Sequence, residues 1–88
     1  MKEIKLYGFA ACGDCPPAKE FLIKHNIPFN FVDIKEKDEN MKEFLTVRRA
    51  VPEYKGKYGV PAFLIGNEMI VGLDAERVLK AYGEFNRQ

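Results

Sequence analysis

The sequence predicts a single α/β domain with a mixed four-stranded sheet, and three observations lead to it. Two apolar runs, 3–8 and 29–34, are separated by one amphipathic helical pattern, the layout of a right-handed parallel β-α-β unit. Farther along, Gly66-Asn67 stands between two more apolar runs, a two-residue hairpin signal that makes the second pair of strands antiparallel. Helical patterns after Asp38 and after Asp74 complete the order β-α-β-α-β-β-α, with helices on both faces.

Size and charge narrow the function classes. With 88 residues the chain supports one domain (1–88) and one modest core. Its 14 basic and 13 acidic residues are interleaved, so no one-sign patch points to nucleic acid or an anionic membrane. No segment approaches ~18 apolar residues, and Lys2 and Lys5 precede no signal-peptide core. A cytoplasmic monomer is the expectation, and in that compartment paired cysteines are more often catalytic than structural.

In the first strand Ile4, Leu6 and Tyr7 are the inward positions. Phe9-Ala10-Ala11 then forms a small apolar approach, either a lip for a partner or loop packing. It leads into Cys12-Gly13-Asp14-Cys15-Pro16, which holds both cysteines of the chain. A C-x-x-C at a strand-to-helix junction is a redox signature with a mechanism. The helix start aims unpaired N–H groups and the positive dipole end at the first sulfur. Pro16 and Pro17 fit only the first helical turn, which leaves the Asp14 and Cys15 N–H groups to face Cys12. Cys12 is therefore the expected nucleophile, partly exposed and lowered in pKa, and Cys15 the more buried resolving thiol. The Asp14 carboxylate opposes that lowering. A soft-metal site and two inert core cysteines are the competing readings. The chain has one histidine, too few ligands for an ordinary structural zinc site.

The first helix should run from about Pro16 to His25, with Ala18, Phe21, Leu22 and His25 on one stripe. Asn26 suits the residue after the helix, and Pro28 forbids continuation. His25 lies about three turns from the cysteines and is read as a helix-end cation rather than a catalytic base. In the second strand Phe29 and Phe31 alternate with Asn30 and Val32. Lys35 to Glu39 is a solvated turn. Asp38 should cap a second helix carrying Met41, Phe44, Leu45 and Arg48, which Pro52 ends. Pro52-Glu53-Tyr54-Lys55 could form a further turn before Gly56 and Gly59 release the chain. Arg48, Arg49, Lys55 and Lys57 read as solvated surface, with a clamp for an acidic substrate end as the functional alternative. Val60-Pro61 turns into the third strand, and Gly72 breaks the fourth. Asp74 caps the last helix, with Val78, Leu79, Tyr82 and Phe85 inward.

Cys12-Gly13-Asp14-Cys15, Gly59-Val60-Pro61 and Val71-Gly72-Leu73-Asp74, set in this element order, resemble the motifs of the thioredoxin fold and, within it, of the glutaredoxins. The resemblance spans essentially the whole chain, from Ile4 to about Phe85. It implies that Pro61 is cis and lies against the dithiol, with the Val60 backbone pairing with bound peptide or glutathione. It also implies that Leu73 and Asp74 hold the γ-glutamyl end of glutathione at a helix start. The chain departs from the family where Gly-Asp replaces the common Pro-Tyr between the cysteines. Phe9 stands where a lysine is frequent, and Ala75 follows Asp74 where a second acid is common.

The resulting expectation is a dithiol–disulfide oxidoreductase acting on protein disulfides or glutathione mixed disulfides. No tightly bound cofactor or metal is expected, and glutathione is the implied co-substrate. Three other readings compete with it. They are a thioredoxin-like redoxin served by a flavin reductase, a soft-metal carrier using the two cysteines, and a thiol sensor that oxidises without turnover.

Overall fold

A computed structural model describes residues 3–9, 13, 15–50 and 61–87, with the side chains of 48–50 excepted. The elements follow the expected order: β1 (Ile4–Gly8), α1 (Cys15–Lys24), β2 (Phe29–Asp33), α2 (Asp38–Ala50), β3 (Ala62–Ile65), β4 (Glu68–Val71) and α3 (Ala75–Asn86). They form one four-stranded sheet in the order β2-β1-β3-β4, with β1 parallel to β2 and antiparallel to β3.

Local chemistry explains most boundaries. Asn26 takes φ 57°, and the chain closes α1 with Ile27 N–H to Leu22 C=O (2.9 Å) and Asn26 N–H to Ile23 C=O (3.1 Å). That pair of bonds is a Schellman motif, with Ile27 and Leu22 supplying its apolar contact in the core. Gly66, at φ 63°, makes the tight link between β3 and β4. The α2 helix begins at Asp38 itself. The Lys37 carbonyl accepts from the Asn40 and Met41 N–H groups, so Asp38 sits in the first turn rather than at the cap.

Both faces of the sheet are covered. Leu6, Phe63 and Ile70 face one way and pack with Leu22 of α1 and Val78 of α3. Tyr7, Val32 and Met69 face the other way, against Phe44 of α2. Alternation in β2 is therefore not simply buried against wet: Phe29 and Phe31 are partly buried on the first face, while on the other Asn30 is exposed and Val32 is core. In α3 the inward stripe is Val78, Ala81 and Tyr82, with Phe85 partly buried. Leu79 is 39% exposed, a correction to the stripe expected from side-chain size. His25 is exposed just past α1, its ring 4.6 Å from that of Phe21.

One polar contact is set into the second face. Glu43 of α2 accepts from the Tyr7 hydroxyl (2.7 Å) and from the Lys5 ammonium (2.9 Å), both on β1. Burial, the Glu43 hydrogen bond and its charge push the Tyr7 phenol well above its usual range. Hydrogen bonds from Lys5 and then Tyr7 hold the Glu43 carboxyl below its own. Among the described residues, no helix is long and apolar enough to cross a membrane.

Candidate active site

The sheet topology gathers four chain segments at one end. Parallel pairing puts Gly8 of β1 opposite Asp33 of β2. Antiparallel pairing sets Tyr7 opposite Ala62, so Pro61 enters β3 beside the end of β1. Ala62 in turn faces Val71, and the Gly72 N–H donates to the Pro61 carbonyl at 2.8 Å. Gly8, Pro61 and Gly72 therefore stand in a row across β1, β3 and β4. This is the edge at which an α/β sheet presents its loops to a ligand.

Cys15 is delivered to the same edge. It opens α1 and is 2% exposed. Pro16 and Pro17 follow it in the first turn, exposed, where their missing N–H groups cost nothing. The helix start lies directly on the end of β1. A Cβ at Gly8 would come 2.5 Å from Cys15 Sγ and 3.2 Å from Phe31 Cε1, far too close for any side chain. Glycine is required at this position by close approach, because the thiol fills the space that a side chain would occupy.

The other flank is made by Pro61 and the segment 72–74. Pro61 is fully buried. Gly72 adopts φ 83°, a left-handed conformation suited to glycine, and turns the chain sharply so that Asp74 N–H reaches Gly72 C=O at 3.2 Å. Leu73 projects outward, 41% exposed. Asp74 caps α3 as the sequence predicts, its Oδ1 accepting from Arg77 N–H at 3.2 Å.

Of the sequence-predicted site residues, Cys15, Pro61, Leu73 and Asp74 come to this end of the sheet. Cys12, Asp14 and Val60 lie outside the described residues, and so does the cis geometry expected of the Val60–Pro61 bond. The segment 51–60 and the side chains of Arg48 and Arg49 are outside them too.

Sequence reasoning did not single out four residues that build this edge. Gly8 is the first, and a glycine ending a strand pattern is the signal that could have found it. Phe31 and Lys19 are the next two, the ammonium 3.7 Å from the ring centroid. The fourth is Lys35, whose ammonium lies 4.4 Å from the ring of half-buried Phe9. Its turn is held by Asp33 Oδ1, which accepts from the N–H groups of Lys35 (2.9 Å) and Glu36 (3.2 Å). A surface hollow of about 210 Å³ lies elsewhere, lined by Glu68, Arg77, Lys80, Ala81 and Glu84. It reaches the start of β4, away from the thiol, and the Arg77–Glu68 ion pair (3.3 Å) spans part of its lining.

The chain is similar to known proteins along nearly its whole length. The family model described as Glutaredoxin matches residues 4–70. A glutaredoxin from Archaeoglobus fulgidus superposes with a TM-score of 0.73 at 25% identity, covering 92% of this chain and 86% of its own. The methanoredoxin of Methanosarcina acetivorans gives 0.67 at 26% identity, covering 92% and 84%. Thioredoxin O2 from Arabidopsis thaliana, in its oxidised state, shares the fold with a TM-score of 0.61 at 20% identity, covering 93% and 72%. The sequence has no significant match among curated proteins.

Proposed function

The chain belongs to the glutaredoxin family of thiol–disulfide oxidoreductases, and from that premise we propose that it works as a dithiol enzyme through Cys12 and Cys15, with glutathione as co-substrate. The observation that carries this reading is the seat of Cys15. It is buried at the helix start against Gly8, three residues after Cys12 in the sequence, at the strand ends where Pro61 and the 72–74 turn also lie.

The chemistry runs in two displacements. The Cys12 thiolate attacks one sulfur of a substrate disulfide, forming a mixed disulfide and expelling the other sulfur as a thiolate that takes up a proton. Cys15, deprotonated, then attacks Cys12 Sγ; the Cys12–Cys15 bond forms and the second substrate sulfur leaves as thiol. The protein has given up two electrons. Two glutathione molecules restore the dithiol and leave as glutathione disulfide. Leu73 and Asp74 supply the binding flank, Leu73 as an exposed apolar contact and Asp74 as the carboxylate at the start of α3. Proteins with disulfides and glutathione mixed disulfides are the substrate class. The cytoplasm is the compartment this chemistry suits.

The test is glutathione-coupled reduction of a small mixed disulfide by wild type, Cys12→Ser and Cys15→Ser. We expect turnover by wild type, none by Cys12→Ser and a residue of activity in Cys15→Ser. Wild-type inactivity with glutathione, combined with turnover by NADPH and a flavin-dependent thioredoxin reductase, replaces the glutathione assignment. Phe9, where the family often has a lysine, is the feature that favours that second reading.

A further inference from the structure

Cys15 has a problem that its burial creates. To resolve the mixed disulfide it must become a thiolate, and a site 2% exposed disfavours the charged form. The surroundings of its sulfur therefore decide how readily the second displacement runs. On the β1 side the neighbour is Gly8, which has no side chain to offer. On the β2 side it is Phe31, whose Cε1 and the Cys15 sulfur close on the same point above Gly8. Charged residues border both of these neighbours: Asp33 is paired with Gly8, and Lys19 lies over Phe31. Asp33 is on the same face of β2 as Phe31 and opposite Gly8, its carboxylate turned to the Lys35 and Glu36 N–H groups. Lys19 is one helical turn after Cys15, with its ammonium held 3.7 Å from the Phe31 ring centroid.

We propose that Lys19 is a positioning residue for the resolving step: held over the Phe31 ring, its ammonium stabilises the negative charge Cys15 must carry when it attacks Cys12. The proposal rests on the dithiol reading for its role in turnover, but not for its electrostatics. The arrangement has two working parts. Phe31 walls the thiol off from water on the β2 side, which strengthens any field reaching it. Lys19 is fixed on that wall rather than waving in solvent, so its charge is held in one place. Asp33 opposes it, with its charge spread into two backbone hydrogen bonds.

The experiment uses the full chain with ¹³Cβ-labelled cysteine. In a Cys12→Ser background Cys15 is the single thiol, and its titration is followed by NMR with Lys19 intact, Lys19→Met and Lys19→Arg. Methionine keeps the packing on Phe31 and removes the charge; arginine keeps the charge. We expect the thiolate fraction at a fixed pH below the midpoint to fall about threefold in Lys19→Met, as for a charge roughly a Debye length away or less, and to return in Lys19→Arg. With Cys12 restored and preloaded with glutathione, the release of glutathione should slow by a similar factor. An unchanged titration in Lys19→Met, or an arginine variant that behaves like methionine, overturns the proposal. If wild type forms no Cys12–Cys15 disulfide the dithiol reading fails, and the single-cysteine titration still decides the electrostatics of Lys19.

Discussion

On the face of the sheet that carries α1 and α3, contact is made by apolar side chains such as Leu6, Leu22, Phe63 and Val78. On the α2 face, the Tyr7 hydroxyl and the Lys5 ammonium converge on Glu43, beside a Tyr7–Phe44 ring pair at 5.3 Å. The difference follows from what each face must do. Apolar packing is non-directional and rewards closeness, so the first face can press α1 onto β1 until a sulfur fills the place of a side chain at Gly8. Hydrogen bonds are directional and fix one register, so the second face sets where α2 lies along β1. Cys15, the proposed resolving thiol, is on the face where helix and strand approach that closely.

The comparison breaks most severely at Gly8. Gly8→Val drives a branched side chain into Cys15 and Phe31, with an expected cost of about 1–3 kcal/mol or more in urea unfolding. Disulfide turnover should fall roughly tenfold or further, because a thiol displaced by ~1 Å loses its line of attack. Tyr7→Phe tests the other face. It removes one hydrogen bond to a charged partner, so stability should drop by about 1–1.5 kcal/mol with turnover unchanged.

Glu43→Gln sharpens the contrast through pH. Glu43 is held below its ordinary pKa, so its contribution is present above the unfolded-state value of ~4.3 and disappears as pH falls through the lower folded-state value. Tyr7 is shifted the opposite way, so its contribution is present below ~10 and is lost as pH rises beyond that. Wild type should therefore lose more stability than Glu43→Gln when unfolding is compared at pH 7 and pH 3.5; equal losses would assign acid sensitivity to other carboxylates. The smallest effect belongs to Lys5→Met. Its ion pair with Glu43 is 42% and 37% exposed on the two sides, so the change should be below ~1 kcal/mol and shrink further in salt.

Much of this architecture is legible in the sequence because its signals are local. Asn26 before Pro28, Gly66-Asn67 and Asp74 each act within a few residues, and the structure uses all three as the sequence predicts. Cys15 is as buried as the inward turn of its helix implies. What was not legible depends on partners far along the chain. Glu43 reads as one more surface charge until β1, some 36 residues earlier, is laid beside α2. Leu79 is the larger and more apolar choice for the inward stripe. The structure nevertheless buries Ala81 instead and leaves Leu79 at 39% exposure. Lys35 and Glu36 form the solvated turn expected of them, whereas Asp38 and Glu39, read into the same turn, already belong to α2, and Lys35 also covers Phe9 at the rim of the site.

The sheet order has a consequence for how the chain reaches its folded state. As β1 lies between β2 and β3, its first partner arrives through one short crossover, whereas its second begins more than fifty residues later. Ribosomal synthesis delivers β1, α1, β2 and α2 first, and this half carries Leu6 and Tyr7 on a strand with one edge still bare. Closing that edge is a high-contact-order event, so the hairpin of β3 and β4 sets the pace of folding. Until it docks, β1 keeps an open edge, the kind of surface that chaperones cover and that aggregates recruit.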